Sequence, residues 1–441
     1  MADNSGLIYY NNAAQVIKES IERLKTINQD KYFAVRDEAI DYYLYNNTKK
    51  YIDNYFTGSL QEEIPLYTSN LTKRLINRMS LVYKKPPIRE IANNDYESLT
   101  IKKDWKFKTF ERVHNLLGTI AVQVSWNGVG FNYTPIINFE PIFNPENPTE
   151  PMAVIYAVQK TAGSKFHTQE DVFVYWDAEQ HFKFDSTGKR ISVNDGDVNP
   201  YGIIPFVFIQ PNEMIDEFWN DGALDIPEAN KQIDIAMTSL QHHIRAAGGQ
   251  WVIEGRADVN KIKLGLNKVL ITDGIVKNLG SQVEINGIME GIKFQLQNVA
   301  QNHHITFDFG LSGSKSGSAL IMENMELLES REDDVEKWNM VEQEVYQIEK
   351  VIAAVEMGRM LPEDIAVDFT EVNFPNIDKE IDEWEWKFKH GIADKIDYIM
   401  HKDPDKFDNR EEAQAWLDER AAKTDKPENV FKLARNGAIN Q

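Results

Sequence analysis

Cysteine is absent from all 441 residues. That excludes disulfides and thiolate metal sites, and it suits a chain that folds in a reducing compartment. Long apolar runs are missing too, so no membrane span is expected. The opening stretch, MADNSGLIYYNN, has neither the basic nor the apolar region of a secretory signal, and none is expected. Positive charge is scarce: 48 Lys+Arg stand against 69 Asp+Glu, for a net charge of −21. Affinity for duplex comes mainly from cations on phosphates, so a chain this acidic is not expected to bind DNA in the ordinary way. What is present is normal for a folded protein, with 42% hydrophobic and 11% aromatic residues. The length is enough for two or three cores.

Hydrophobic spacing gives a coarse order of elements. Residues 9–56 read as helices, with Ala13, Val16, Ile17, Ile21 and Leu24 at helical spacing. A further helix is predicted over Ser69–Tyr83, stopped by Lys84-Lys85-Pro86-Pro87, and another over Lys103–Leu117, ended by Gly118. The period then changes to two. Thr119–Trp126 and Phe131–Ile137 flank Asn127-Gly128 as a hairpin, and Met152–Gln159, Asp171–Trp176, His181–Phe184 and Ile203–Ile209 add strands. Residues 1–215 therefore read as a mixed domain with an antiparallel sheet. Beyond them a helix runs from Ile226 to Ala247, with Asp225 as N-cap and Pro227 in its first turn. Short strands follow at Trp251–Glu254, Lys268–Ile271 and Gln282–Ile285, then a helix from Ile288 to Ile305. A Gly/Ser loop, Gly310 to Gly317, leads into a helix from Ser318 to about Met357. The apolar stripe of that helix includes Met322, Met325, Leu328, Val335, Trp338, Val341, Val345, Ile348, Ile352 and Val355. Its other faces carry eleven acidic residues against three basic ones. A strand at Ile365–Phe374 and a Trp-rich helical region from Asp378 to about Lys423 complete an α+β, predominantly helical class.

Few of these features carry reaction chemistry. The loop Gly310–Gly317 fails as a phosphate-binding P-loop, because Lys315 follows Ser314 and stands five places after Gly310 instead of six. The pairs His242-His243 and His303-His304 are adjacent, and adjacent helical residues diverge too far to share a metal. The acidic neighbours of Trp384 and Trp386 favour packing over base stacking. No catalytic residue, metal or cofactor is expected, and the chain is not expected to be an enzyme. One contrast in charge stands out. Gln250–Gly287 holds five basic residues (Arg256, Lys261, Lys263, Lys268, Lys277) and four acidic ones, nearly neutral in a chain of −21. A near-neutral β-rich edge suits protein contacts.

The order of helix, small β-rich insert, helix, Gly/Ser loop and long acidic helix resembles the portal proteins of tailed double-stranded DNA bacteriophages. Six segments carry the resemblance in order. They are Asn70–Pro87; Leu117–Val124 with Pro135 and Glu140-Pro141-Ile142; Gly202-Ile-Ile-Pro205 with Asn212; Asn230–Asp234; Ser316-Gly317-Ser318-Ala319-Leu320; and Gly391–Lys395 with Asp403-Pro404 and Glu411-Glu412-Ala413.

The resemblance implies a portal fold. Residues 1–215 and 319–375 would form an α+β wing, 226–248 and 288–306 a two-helix stem, and 249–287 a clip. Residues 307–318 would be a tunnel loop leading into the long helix, and 378–441 a short helical crown. It also implies a ring of about a dozen copies at one capsid vertex of the virion, assembled in the host cytoplasm. Double-stranded DNA would pass through the ring without sequence readout during packaging and ejection. The implied partners are the terminase large subunit, then a head-completion or adaptor protein, and major capsid or scaffold protein, with no membrane. Tunnel-loop residues would be Gly310, Ser312, Gly313, Ser314, Lys315, Ser316 and Gly317. Lys315 is the sole charge of that stretch and a candidate phosphate contact. Partner contacts at the clip would fall on Arg256, Lys261, Lys263, Lys268 and Lys277. The alternative is a non-portal virion structural or scaffold-like interaction protein.

Overall fold

The computed structural model describes residues 13–25, 31–56, 65–92, 95–144, 147–159, 171–185, 189–211, 218–246, 250–254, 275–279, 285–306, 325–370, 377–402, 407 and 409–423. It is α+β and predominantly helical, and its contacts divide the chain into two compact units. The first takes Met1–Asp308 and Glu326–Val372, and the second takes Phe309–Met325 and Asn373–Gln441. Among the described residues, no helix is long and apolar enough to cross a membrane.

The first unit opens with α1 (Ala13–Lys25), α2 (Lys31–Leu44) and the short α3 (Lys49–Ile52). Next come α4 (Leu71–Met79), strand β1 (Ile88–Glu90), the single turn α5 (Tyr96–Leu99) and α6 (Lys103–Leu117). The expected helix Ser69–Tyr83 is shorter than its apolar spacing suggested. It ends at Met79, and a 3-10 turn, Val82–Lys84, follows. The break is held from outside, because the buried Glu111 carboxylate accepts the N–H groups of Val82 and Tyr83 at 2.7 and 3.0 Å. By contrast, α6 has the predicted bounds. Gly118 at φ +76 turns the chain there, and a Cβ at this position would sit 1.9 Å from the Asn220 carbonyl oxygen.

The strands β2 (Ile120–Trp126) and β3 (Phe131–Ile136) pair antiparallel, with β9 (Phe206–Ile209) on the other side of β2. The connection is a four-residue loop, not a two-residue turn: the Asn127 side chain accepts the N–H groups of Val129 and Gly130. A second sheet has the order β4 (Phe139–Asn144), β5 (Asn147–Gln159), β6 (Asp171–Asp177), β7 (His181–Phe184), β8 (Arg190–Ile191). Glu140-Pro141-Ile142 lies inside β4, an edge strand, where proline's missing donor is tolerated. Alternation explains how both faces of this sheet are buried. Ala153, Ile155, Phe173 and Tyr175 pack on Ile21 and Leu24 of α1. Val154, Tyr156, Val174 and Trp176 pack toward Ala121, Phe206 and Phe218.

The remaining elements of the unit are α7 (Asp225–Ala246), β10 (Gln250–Glu254), β11 (Ile275–Leu279), α8 (Ile285–Asn302), α9 (Met325–Met357) and β12 (Ala366–Asp368). Three expectations are corrected here. Ile285, assigned to a strand, opens α8, and that helix closes at Asn302, short of Ile305. Of the strand expected over Ile365–Phe374, Ala366–Asp368 pairs with β1 and Phe369–Thr370 does not continue it, while residues 371–374 lie outside the described residues. Val355 and Met325, assigned to the apolar stripe of the long helix, are exposed, while Leu327, Trp338, Val341, Val345, Ile348 and Ile352 are buried. Lys268–Ile271, Gln282–Glu284 and Ser318–Asn324 lie outside the described residues.

In the second unit the described elements are α10 (Ile377–Lys389), α11 (Lys395–Lys402) and α12 (Arg410–Lys423). Trp384 is buried against Phe388, Tyr398 and His401, whereas Trp386 is exposed and lies over His390. Arg410 joins the helices by pairing with Asp394 and Asp397.

Candidate functional site

The segment from Asp225 to Asn302 is a helical hairpin with a β-ribbon at its far end. Helices α7 and α8 pack against each other, and β10 pairs antiparallel with β11 from Gln250↔Leu279 to Glu254↔Ile275. The near end is closed by side chains. Nε2 of His303 lies 2.8 Å from Oδ1 of Asp225, and the Asn302 amide donates to Oδ2 at 3.4 Å. Burial pushes the Asp225 carboxyl up, but the hydrogen bonds and charge of His303 outweigh it and hold the group below the usual range. His304, at φ +55, adds a contact of 3.5 Å to Glu326 near the start of α9. So the two helices and the long helix meet around one histidine pair, and residues 307–324 lie between them in sequence. Away from that junction α8 buries no residue. Val299 and Ala300 are the buried residues of α8, while Phe294 is 69% exposed, Ile244 54% and Met289 44%.

One face of α7 is polar and buried. Asn230, Asp234 and Thr238 follow at intervals of four, so they stack along the helix. Together they take the backbone of the extended stretch before α4. The Thr238 hydroxyl accepts from Tyr67 N, Asp234 accepts from the N–H and hydroxyl of Ser69, and Asn230 accepts from the N–H and hydroxyl of Thr72. Burial raises the Asp234 carboxyl to about 7 even against the Ser69 hydrogen bonds. The sequence singled out Asn230 and Asp234 by resemblance alone. Their work is to hold the start of α4 and tie it to α7.

The long helix carries buried charge, contrary to the expectation that its acidic residues lie on solvated faces. Glu342 pairs with Arg89 at 2.6 Å and Lys103 at 3.0 Å and accepts from the Tyr83 hydroxyl at 2.8 Å. Glu349 pairs with Lys103 at 3.0 Å and accepts from the Tyr96 and Tyr133 hydroxyls. Arg89 reaches onward to Asp104 at 2.6 Å. Burial would push Glu342 up, but the Lys103 and Arg89 charges outweigh it and bring its carboxyl down to about 2. Arg331, also buried, donates to the carbonyls of Leu81 and Thr370. This network ties α9 to α6, β1 and β3. Lys103, Glu342 and Glu349 gave no sign of it in sequence, since their partners lie some 250 residues away.

The residues expected to touch DNA or partners fall mostly outside the described residues. That is so for Gly310, Ser312, Gly313, Ser314, Lys315, Ser316 and Gly317, and for Arg256, Lys261, Lys263 and Lys268. Lys277 is placed in β11, opposite Val252. The His242 ring stacks on Phe56, with ring centroids 5.9 Å apart.

No protein-family model and no curated protein matches the chain. Among solved structures it is similar to a chain from the virion of a native gene transfer agent particle, with a TM-score of 0.40 and 11% identity over 77% of this chain and 91% of that one. It is likewise similar to a chain from the neck of the empty particle with C6 symmetry, with a TM-score of 0.42 and 11% identity over 77% and 91%. A chain from the neck of the native particle with C12 symmetry gives 0.41 and 10% identity over 74% and 88%.

Proposed function

We propose that this chain is a portal subunit, one copy of a ring through which double-stranded DNA enters and leaves a phage-type capsid, and that it carries no catalytic step. The observation that carries this reading is the α7–ribbon–α8 hairpin, closed at its base by Asp225 and His303 and bare of buried residues along most of α8. A channel stem needs such a pair: fixed at the wing, and offering apolar side chains such as Ile244, Met289 and Phe294 to neighbouring copies. The ordered sequence segments support the same reading. In it, the nearly neutral ribbon end meets the packaging motor first and a head-completion protein later. The Gly/Ser loop carries Lys315 against the DNA backbone. The acidic surface keeps the hold on DNA weak, so sliding meets low barriers.

Electron microscopy of the purified full-length chain tests the reading. Closed rings of about a dozen copies with an open channel are expected; species without a closed ring under every assembly condition would refute it. Two variants test its parts. Deleting 255–280 is expected to abolish binding of the terminase large subunit with the first unit still folded, and unchanged binding would remove the clip assignment. Particles carrying Lys315→Ala are expected to retain packaged genome poorly, and wild-type retention would remove the loop contact.

A further inference from the structure

Positive charge and exposed apolar side chains coincide at the start of α6. Ile101–Thr109 holds four lysines and one carboxylate in a chain of −21. Two of these charges are spent inside the unit, Lys103 on Glu342 and Glu349 and Asp104 on Arg89. Lys106 donates to Asn132 Oδ1 and to the Tyr133 carbonyl, both at 2.6 Å. Burial, and then the Lys102 charge beside it, push its ammonium below the usual lysine range. Lys102 and Lys108 make no ion pair among the described residues. They stand three residues before and after Trp105, so they flank it on the outer side of the helix, away from the buried Lys103, Phe107 and Phe110. Trp105 is 69% exposed, Ile101 one turn before it 79%, and Val129 on the β2–β3 loop 80%. That loop is held against the start of the helix. Asn127 fixes it through the N–H groups of Val129 and Gly130, and a Cβ on Gly130 would stand 2.7 Å from the Leu99 carbonyl oxygen. The hairpin brings no opposing charge, because residues 118–139 contain no Asp, Glu, Lys or Arg.

We propose that the start of α6 and the β2–β3 loop form a docking surface for an acidic segment of another protein, which seats a large apolar side chain among Ile101, Trp105 and Val129 and sets its carboxylates on Lys102 and Lys108. Apolar side chains exposed singly need no explanation, but an aromatic anchor with two aliphatic neighbours and a charged rim has the anatomy of a protein interface. The rim is cationic in a strongly acidic chain, so it selects a partner segment of opposite sign. The surface is preorganised, since the Asn127 hydrogen bonds and the Gly130–Leu99 approach fix the loop before anything binds. A nucleic acid fits it less well. Ile101 and Val129 offer no face for a base to stack on, and Lys106 is already committed to Asn132 and Tyr133. A two-fold contact of the patch with itself would set Lys102 and Lys108 against the same cations. The inference does not need the ring reading.

Fluorescence anisotropy with labelled peptides and the full-length chain tests it. The probe is a helical peptide of Glu, Ala and Leu with its leucines on one face; the controls replace every Glu by Lys, or every Leu by Ser. The Glu/Leu peptide is expected to bind saturably, and the serine control at least about tenfold more weakly. Trp105→Ser should weaken the Glu/Leu peptide about tenfold, and Trp105→Phe by less than about threefold. Lys102→Glu/Lys108→Glu should also cost about tenfold at about 0.1 M salt, far less at about 1 M, and should turn the preference toward the lysine peptide. Each variant is checked for an unchanged melting curve. Val129→Ser, on a loop fixed by its backbone, stands in should Trp105→Ser disturb the fold. No saturable binding below about 1 mM overturns the proposal, as does binding that none of these substitutions changes. Two further outcomes overturn it by naming another occupant. One is a thymidine oligonucleotide that binds and is lost on Trp105→Ser while the Glu/Leu peptide does not bind. The other is self-association, followed by mass photometry, that the same substitutions abolish without any peptide binding. Closed rings that bind no peptide would end this proposal and leave the portal reading standing.

Discussion

Two helices of the same unit, α8 and α9, are built to opposite rules. In α9, eleven residues are buried, and three of them are charged: Arg331, Glu342 and Glu349. In α8, burial is confined to Val299 and Ala300, next to the junction with Asp225. The first helix is anchored within its own unit, since its buried charges are matched and its aromatic neighbours interlock. Tyr83 alone makes edge contacts with Trp338 and Phe369. The second leaves Phe294 and Met289 on the outside. The difference teaches that the copy's stability is settled around α9, whereas α8 is free to be shaped by what it meets.

The comparison breaks most readily at Glu342. Glu342→Ala leaves Arg89 short of its buried partner and is expected to cost about 3–5 kcal/mol in urea unfolding of the full-length chain. A loss under about 1 kcal/mol would mean that the network does not hold α9. Next comes Asp234→Ala on α7, which orphans the Ser69 N–H and is expected to cost about 1–3 kcal/mol. A smaller effect, of several degrees in melting temperature, is expected from pH. The Glu342 carboxyl is depressed from 4.5 to about 2, so its contribution is present above 4.5 and is lost as pH falls toward 2. Burial raises Glu111 from 4.5 to about 7 and Asp234 from 3.8 to about 7, so their contributions are present at low pH and are lost as pH rises to 7. The windows meet near 4.5, where the melting temperature should peak. Glu111→Gln should flatten the limb between 4.5 and 7, and an unchanged limb would show that other groups set it. The smallest effect on stability belongs to α8. Phe294→Ser should shift unfolding by less than about 0.5 kcal/mol while weakening self-association. A large loss in the isolated copy would erase the contrast.

Local signals made much of this fold legible. The bounds of α6 follow from its apolar spacing and from Gly118, because both the helix and its stop are written within sixteen residues. Strand alternation placed β2, β5, β6 and β7 for the same reason. The buried cluster was illegible, since a Glu or Lys on a helix reads as solvated unless its distant partner is known. The Asn230–Asp234–Thr238 face was half legible: resemblance singled out Asn230 and Asp234, but the backbone they hold lies some 160 residues upstream. Of the candidate contact residues, Lys277 alone has a place, in β11.

The Asp225–His303 contact has a consequence for how such a chain can change over generations. It draws the two ends of a 79-residue excursion, from Asp225 to His303, together at one point. Whatever happens to the length or composition of the far ribbon, the rest of the unit receives the chain back at the same place and in the same direction. The ribbon is therefore an exchangeable module. Under the portal reading proposed above, a docking specificity could be rewritten there by insertion, deletion or grafting, with the contacts of the core left in place.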